Sequence, residues 1–328
     1  MIRSLYRPPD GPLRTGLSTD ELPPVLREGV GLLWVDLCDE PHPACEEILV
    51  NVFGFHPLAV DDALNESHVP KVDDWGSYVY LVAHGSAFEP AGEGIFDSLE
   101  LDIFLGPNYV VTHQRRPIAA VERVWGLCLR NERHVRLGAG RLLYWLLDEL
   151  VADYMPAVDG LAEMVDEIED QLFAEASPEL IERVFSLKRA LLRMRRVIAP
   201  QREVLNKLAR GDFAVVSPED RMFYRDVYDH LVRLFDLSES LRDLVGSVLE
   251  TYLSVINNRM NEVMKTLTVI TTMFMPISFI AGFFGMNFFG PTVEMRAWTG
   301  YLAFALTLVV MVAAPIGMVL WMRRRGMW

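Results

Sequence analysis

The chain has 328 residues, 51% of them hydrophobic, which is enough for one or two domains with a sizeable core. A formal net charge of −14 and the lack of a basic reader motif exclude a nucleic-acid partner, while an acidic surface suits either plain solubility or the attraction of divalent cations. The three cysteines, Cys38, Cys45 and Cys128, form no C-x-x-C pair, so neither a disulfide framework nor a zinc signature is expected and a reduced cytosolic setting fits best.

Residues Met1 to Val30 carry prolines and scattered charges but no apolar segment of the signal-peptide kind, and read as irregular chain or short strands. Gly31 to Leu37 reads as a buried strand. Pro43 to Val52 reads as a short helix, and Phe53 to Leu64 as a turn at His56-Pro57 followed by another short helix that carries Asp61 and Asp62. Tyr78 to His84, Ile95 to Leu105 and Tyr109 to His113 are dominated by β-branched and aromatic residues and read as strands, with Gly106-Pro107-Asn108 as a turn. A helix near Ala119 to Arg130 closes this α/β unit, placed at residues 1–138.

From Ala139 the strand pattern stops. Gly140 to Phe173 and Pro178 to Ala209 each show helical spacing, the first rich in acids and the second in bases, so residues 139–216 read as an antiparallel helical hairpin with facing opposite charges. Ser177-Pro178 marks the turn, with serine at the N-cap and proline at the first helical position. The facing charges are first of all surface ion pairs worth about 0.2–1 kcal/mol each; shaping cation access at a cytosolic mouth is the functional alternative. Ser217-Pro218 opens the next helix in the same way. Between Pro218 and Pro276 there is no proline and a single glycine, Gly246, and Val227, Leu231, Leu234, Ser238, Leu241, Val245, Val248, Tyr252 and Val255 hold a heptad register. An unbroken helix here would be on the order of 85 Å long, with Gly246 and Pro276 as places to bend.

No ionisable side chain lies between Lys265 and Glu294, a gap long enough for a membrane-spanning helix. The stretch also carries a seam. Asn261, Met264, Thr268, Thr271, Met275, Ser278 and Gly282 recur at alternating steps of three and four, and all are small, polar or thioether residues. Hydrocarbon offers such groups no hydrogen-bond partner, so the seam must face protein or water. Packing between helices and the lining of a pore in a ring of identical subunits both satisfy that requirement. A second membrane helix, residues 298–322, has Trp298, Tyr301 and Trp321 at its ends and a basic tail, 323–328, containing Arg323, Arg324 and Arg325. Arg259 and Lys265 precede the first span, whereas the connecting loop, 288–297, holds only Glu294 and Arg296. Both termini and the large soluble region are therefore expected in the cytoplasm, and the loop outside.

The run from Tyr252-Leu253-Ser254 through Asn261-Glu262-Val263-Met264-Lys265, Phe274-Met275-Pro276 and Phe279-Ile280-Ala281-Gly282 to Gly285-Met286-Asn287-Phe288 closely resembles the CorA family of magnesium and cobalt channels. The GMN tripeptide is specific because it ends the first of two C-terminal membrane helices after a long soluble region, and the resemblance extends over nearly the whole chain. It implies an α+β cytoplasmic domain with long helices, a stalk helix (217–287) that continues into the first membrane helix, and a funnel-shaped homopentamer in the inner membrane. It implies Mg2+ influx, with Co2+ or Ni2+ as alternative ions. Gly285, Met286 and Asn287 would form the selectivity filter, with Asn287 as the entry ring. Asn261, Met264, Leu267, Thr271, Met275 and Ser278 would line the pore, and Met264 and Leu267 would be its hydrophobic gate. Glu294, in the external loop, would add negative potential at the entrance; the family often has a more acidic MPEL run where this chain has Thr292-Val293-Glu294-Met295. The resemblance also places Asp62 and Asp226 at a subunit interface, bridged by a regulatory Mg2+ that favours closure, with Asp61 and Asp148 as an adjoining site. A zinc transporter of the same superfamily, proton-coupled or not, and a membrane-tethered receptor that conducts nothing are the alternatives. An enzyme is not expected, because His56, His84 and His113 are isolated and no nucleophile elbow, phosphate loop or metalloprotease spacing is present.

Overall fold

In the computed structural model, which describes residues 1–65, 69–89, 95–174, 177–286 and 300–325, the continuous apolar runs of the first region become central strands. β3 (Leu32–Cys38), β5 (Val79–Phe88), β6 (Phe96–Leu105) and β7 (Tyr109–Gln114) are buried on both faces over much of their length, which is why Leu32 to Val35 and Val79 to Ala83 do not alternate. β1 (Ile2–Arg7), β2 (Arg14–Thr15) and β4 (Lys71–Asp74) extend the sheet, whose order is β2-β1-β3-β7-β6-β5-β4. β3 and β7 run parallel and the other neighbours antiparallel. β4 has only one buried side chain, Val72, so its sequence lacks the apolar run that marks the other strands.

One sheet face is covered by α1 (Leu22–Glu28), by α2 (His42–Glu46) with its π-helical continuation over Glu47–Val52, and by α3 (Pro57–Leu64). Leu22, Cys45, Leu49, Ala59 and Ala63 pack there on Tyr80, Val82, Phe104 and Val111. Phe55 stacks on Phe104 with ring centres 4.2 Å apart. Beyond the last strand come α4 (Ala119–Arg130), α5 (Glu132–Val135), α6 (Ala139–Ala152), α7 (Tyr154–Ala174) and α8 (Pro178–Arg210), of which α6, α7 and α8 touch β5.

The helical stretch 140–173 is divided at Asp153. The turn drives Tyr154 into the core, where its hydroxyl donates to the His84 carbonyl (2.9 Å), while the Asp153 carbonyl accepts from the Ser86 hydroxyl (2.6 Å). α8 starts as expected, with the Ser177 hydroxyl accepting from the Leu180 N–H, and ends on left-handed Gly211 (φ 75°). The facing charges of α7 and α8 meet in the pair Arg183–Glu167 (3.0 Å), but Arg195 turns to Glu239 on the next helix, also at 3.0 Å. α9 (Arg221–Gly285) and α10 (Tyr301–Arg324) complete the described elements. The chain divides into two units, Met1–Glu250 and Thr251–Trp328, so α9 contributes to both.

The sheet buries two acids, Asp36 and Asp102, among polar neighbours. Asp36 accepts from Arg3 Nε (2.9 Å), Thr112 Oγ1 (2.6 Å) and Gln114 Nε2 (3.0 Å), which ties β1 and β7 to β3. Asp102 accepts from the Tyr80 hydroxyl (2.7 Å) and faces His113 Nδ1 at 3.2 Å. Burial pushes the Asp102 carboxyl up to about 6. On His113 burial acts downward, but Asp102 and Cys45 more than offset it and raise the imidazole to about 9. An unfolded histidine titrates near about 6.5. The His113 contribution to stability is therefore fully present below that pH and is lost as pH rises through about 9; the Asp102 shift costs stability at lower pH, as pH rises through about 6. The thermal midpoint of the full-length protein in detergent is expected to fall between pH 7 and pH 10, and to fall less in His113→Gln. Equal slopes for the two proteins would show that this pair does not carry the effect.

Candidate metal sites and candidate ion pathway

The acidic residues of α3 owe their position to the helix start. His56 is the N-cap, with Nδ1 accepting from the Leu58 N–H (3.2 Å), and Pro57 takes the first helical position. The His56 N–H donates to the Tyr78 hydroxyl (2.9 Å) and its ring stacks on Trp75 at 4.4 Å. With Ala59, Val60 and Ala63 thereby turned into the core, Asp61 and Asp62 take outer positions. Asp61 accepts from Asn65 Nδ2 (2.7 Å). Asp62 is ion-paired with Lys71 of β4, whose ammonium also lies 3.5 Å from Asp73 and 5.4 Å from the centre of the Tyr80 ring.

A second acidic pair lies on α6 and α9. Tyr224, fully buried, donates to the Gly140 carbonyl (2.6 Å), and Arg141 binds Asp220 (3.0 Å), which fixes the start of α9 against α6. Asp148 and Asp226 consequently act on one another. Burial raises the Asp148 carboxyl, and the charges of Glu149 and Asp226 add to this, while His230 and the Tyr144 hydroxyl oppose it. Within one chain Asp62 is therefore paired with Lys71, while Asp226 acts on Asp148 through its charge. The expectation from the resemblance is different: Asp62 with Asp226 at a subunit interface, and Asp61 with Asp148 as an adjoining site. Among the described residues no three or more His, Cys, Asp or Glu side chains converge as a metal cage. Carboxylates in ones and twos with mutual repulsion to relieve do fit Mg2+, which keeps several of its waters and needs few protein oxygens. Lys71 was not singled out by the sequence. Its signal is the alternation Lys71-x-Asp73, which sets both side chains on one face of an edge strand.

The membrane stretch of α9 is exposed over most of its surface. Asn261, Met264, Leu267, Thr268, Thr271, Met275, Ser278 and Gly282 are all exposed, Met264 by 56% and Leu267 by 55%, so the seam is not covered by the chain's own packing. The less exposed positions Val269, Thr272, Met273, Pro276, Ile277 and Ile280 fall on a stripe roughly opposite the seam. Thr268 and Thr271 donate their hydroxyl hydrogens to the carbonyls of Met264 (2.7 Å) and Leu267 (2.9 Å). Their oxygens are left as acceptors on the exposed side.

α9 ends at Gly285, and the Met286 N–H reaches the Phe283 carbonyl at 3.4 Å. Asn287, Glu294 and Trp298 lie outside the described residues. α10 carries Pro315 in its interior and Arg323 and Arg324 in its last turn, and Arg325 lies over the Trp321 ring at 5.5 Å. α9 and α10 are each long and apolar enough to cross a membrane.

A family model described as "CorA-like Mg2+ transporter protein" matches residues 30–324. The cobalt/magnesium transport protein CorA of Thermotoga maritima is 35% identical over 280 residues, covering 83% of this chain and 77% of that protein. The zinc transport protein ZntB of Yersinia pseudotuberculosis is 25% identical over 307 residues, covering 90% of this chain and 87% of that protein. Among solved structures, the complete CorA magnesium transporter of Methanocaldococcus jannaschii superposes with a TM-score of 0.85 at 25% identity, over 100% of this chain and 99% of that one.

Proposed function

Since the chain belongs to the CorA-like family of transporters, we propose that it is a homopentameric channel that admits Mg2+, and Co2+ or Ni2+ as alternative ions, across the inner membrane into the cytoplasm. A divalent-cation transporter of this family is a transport protein and not an enzyme. The observation that carries the finer reading is the exposed polar seam of α9, roughly opposite a less exposed stripe, with Thr268 and Thr271 presenting acceptor oxygens there. Five such helices around one axis would give a wall that accepts hydrogen bonds from the waters of a hydrated cation. That suits an ion which dehydrates reluctantly, and uncharged acceptors let it leave again.

In this reading Gly285, Met286 and Asn287 form the outer filter, with Glu294 adding negative potential beside it. Asn261, Thr271, Met275 and Ser278 line the route. Met264 and Leu267, both exposed on a single chain, close it by excluding water when the helices draw together. The basic residues Arg323 and Arg324 at the end of α10 support a cytoplasmic terminus. On the cytoplasmic side the carboxylates of Asp62 and Asp226, with Asp61 and Asp148 beside them, would hold a regulatory Mg2+ between neighbouring subunits. The bound charge would relieve carboxylate repulsion and favour the closed state.

The likeness to a zinc transporter favours a second reading, Zn2+ transport by the same architecture. Against proton coupling, no acid occurs between Lys265 and Glu294 to relay a proton through the membrane. Flux through purified protein in liposomes tests the choice. Mg2+ and Co2+ are expected to enter at rates indifferent to a pH gradient. Zn2+ entry without Mg2+ entry would replace the proposal, and no flux of any divalent ion would leave a non-conducting receptor.

A further inference from the structure

The register of the edge strand places a cation against one of the proposed regulatory acids. Asp73 pairs with Tyr80 and Lys71 with Val82, so Lys71 and Asp73 share the sheet face that packs under α3. Asp62 stands above them on that helix. The Lys71 ammonium is hydrogen-bonded to Asp62, lies 3.5 Å from Asp73, and sits over the Tyr80 ring at 5.4 Å. Tyr80 cannot swing aside, because it is fully buried and its hydroxyl is held by Asp102 at 2.7 Å. The ammonium therefore has a floor, one carboxylate it occupies, and a second carboxylate next to it.

From this arrangement we infer that Lys71 is a tethered competitor for the regulatory Mg2+. It occupies the Asp62 carboxylate when no divalent ion is bound, and Asp73 receives it when it is displaced. The inference deepens the proposed function and rests on Asp62 being a regulatory ligand. An ammonium and a metal-bound water donate to the same carboxylate lone pairs, and the two cations repel one another. Because Lys71 is tied to the neighbouring strand, it cannot be diluted away, so the competition has a fixed strength. That strength sets the Mg2+ concentration at which Asp62 becomes available. The side chains are partly open to solvent, 44% for Asp62, 45% for Asp73 and 31% for Lys71. Screening keeps the effect modest, roughly two- to fivefold in half-effect concentration. A lysine that merely positioned Asp62 for the ion would shift the concentration the other way.

The test titrates Mg2+ against full-length protein in detergent and reads protection from limited proteolysis, which needs no conduction. Lys71→Gln is expected to reach half-protection at roughly two- to fivefold lower Mg2+, Lys71→Arg to stay near wild type, and Asp73→Asn, which removes the alternative acceptor, to need more Mg2+. A Lys71→Gln curve that is unchanged or moved to higher Mg2+ overturns the inference. Asp62→Asn separates the two levels. If it leaves the wild-type curve intact, the reading of Asp62 as a ligand fails and the role of Lys71 fails with it. If it moves the curve while Lys71→Gln does not, only the role of Lys71 fails.

Discussion

Asn287→Ala is expected to abolish Mg2+ uptake and magnesium-dependent growth rescue while leaving assembly intact. The side-chain amide would accept from the first water shell of the entering ion, and alanine offers nothing in its place. Even at about 0.5 kcal/mol for each of five lost contacts, the entry barrier rises by about 2.5 kcal/mol, which approaches a hundredfold in rate. Fold and assembly should survive, because in the proposed reading the change only removes polar atoms that face the entering ion, at a position that follows the last residue of α9, Gly285. Liposome flux measured beside light scattering on the same preparation checks both halves. Wild-type flux in the variant would take the filter away from this position, and a monomeric variant would show that Asn287 holds the assembly together instead.

Charge reversal at the regulatory acids is expected to have the second large effect. Asp226→Lys removes one proposed ligand and reverses a charge that Asp148 feels. Two unit charges about 4 Å apart interact by about 4 kcal/mol at the effective dielectric of a protein surface; solvent screening of the exposed Asp226 reduces this, and an upward shift of about tenfold in the protecting Mg2+ concentration is expected. Asp62→Lys should act in the same direction, but it also confronts Lys71 with a like charge. Both variants should lose Mg2+ protection from proteolysis at concentrations that protect the wild type. Retention of wild-type protection by either one would remove that residue from the sensor.

The elements that were legible in the sequence are those whose periodicity is strong. β3 announces itself as an apolar run, β6 and β7 through their aromatic and β-branched residues, α4 as an amphipathic repeat ending at Arg130, and α8 through the Ser177-Pro178 start. α1 was hidden because Leu22-Pro23-Pro24 looks like irregular chain, although proline is tolerated in a first turn, where its missing N–H has no partner to lose. The break at Asp153 was hidden because its cause is not local: Tyr154 is pulled into a sheet whose strands lie far away in sequence. The same holds for the candidate site. Asp61-Asp62 and the GMN tripeptide could be found by resemblance, but no periodicity indicates that Lys71 reaches Asp62 or that Asp148 and Asp226 share a corner of the fold. The Lys71–Asp62 pair is a product of strand register, and the influence of Asp226 on Asp148 a product of helix docking.

The back-bonded threonines carry a last consequence for a ring of α9 helices. Because the hydroxyl hydrogens of Thr268 and Thr271 are turned inward to the helix, a traveller along the axis meets lone pairs and no hydrogens at these two levels. Chloride that sheds part of its water needs donors in the wall, and these two hydroxyls offer it none. Rejection of anions can then be built into the orientation of a few neutral dipoles, without any fixed charge in the wall, and would persist at ionic strengths that mask a ring of carboxylates.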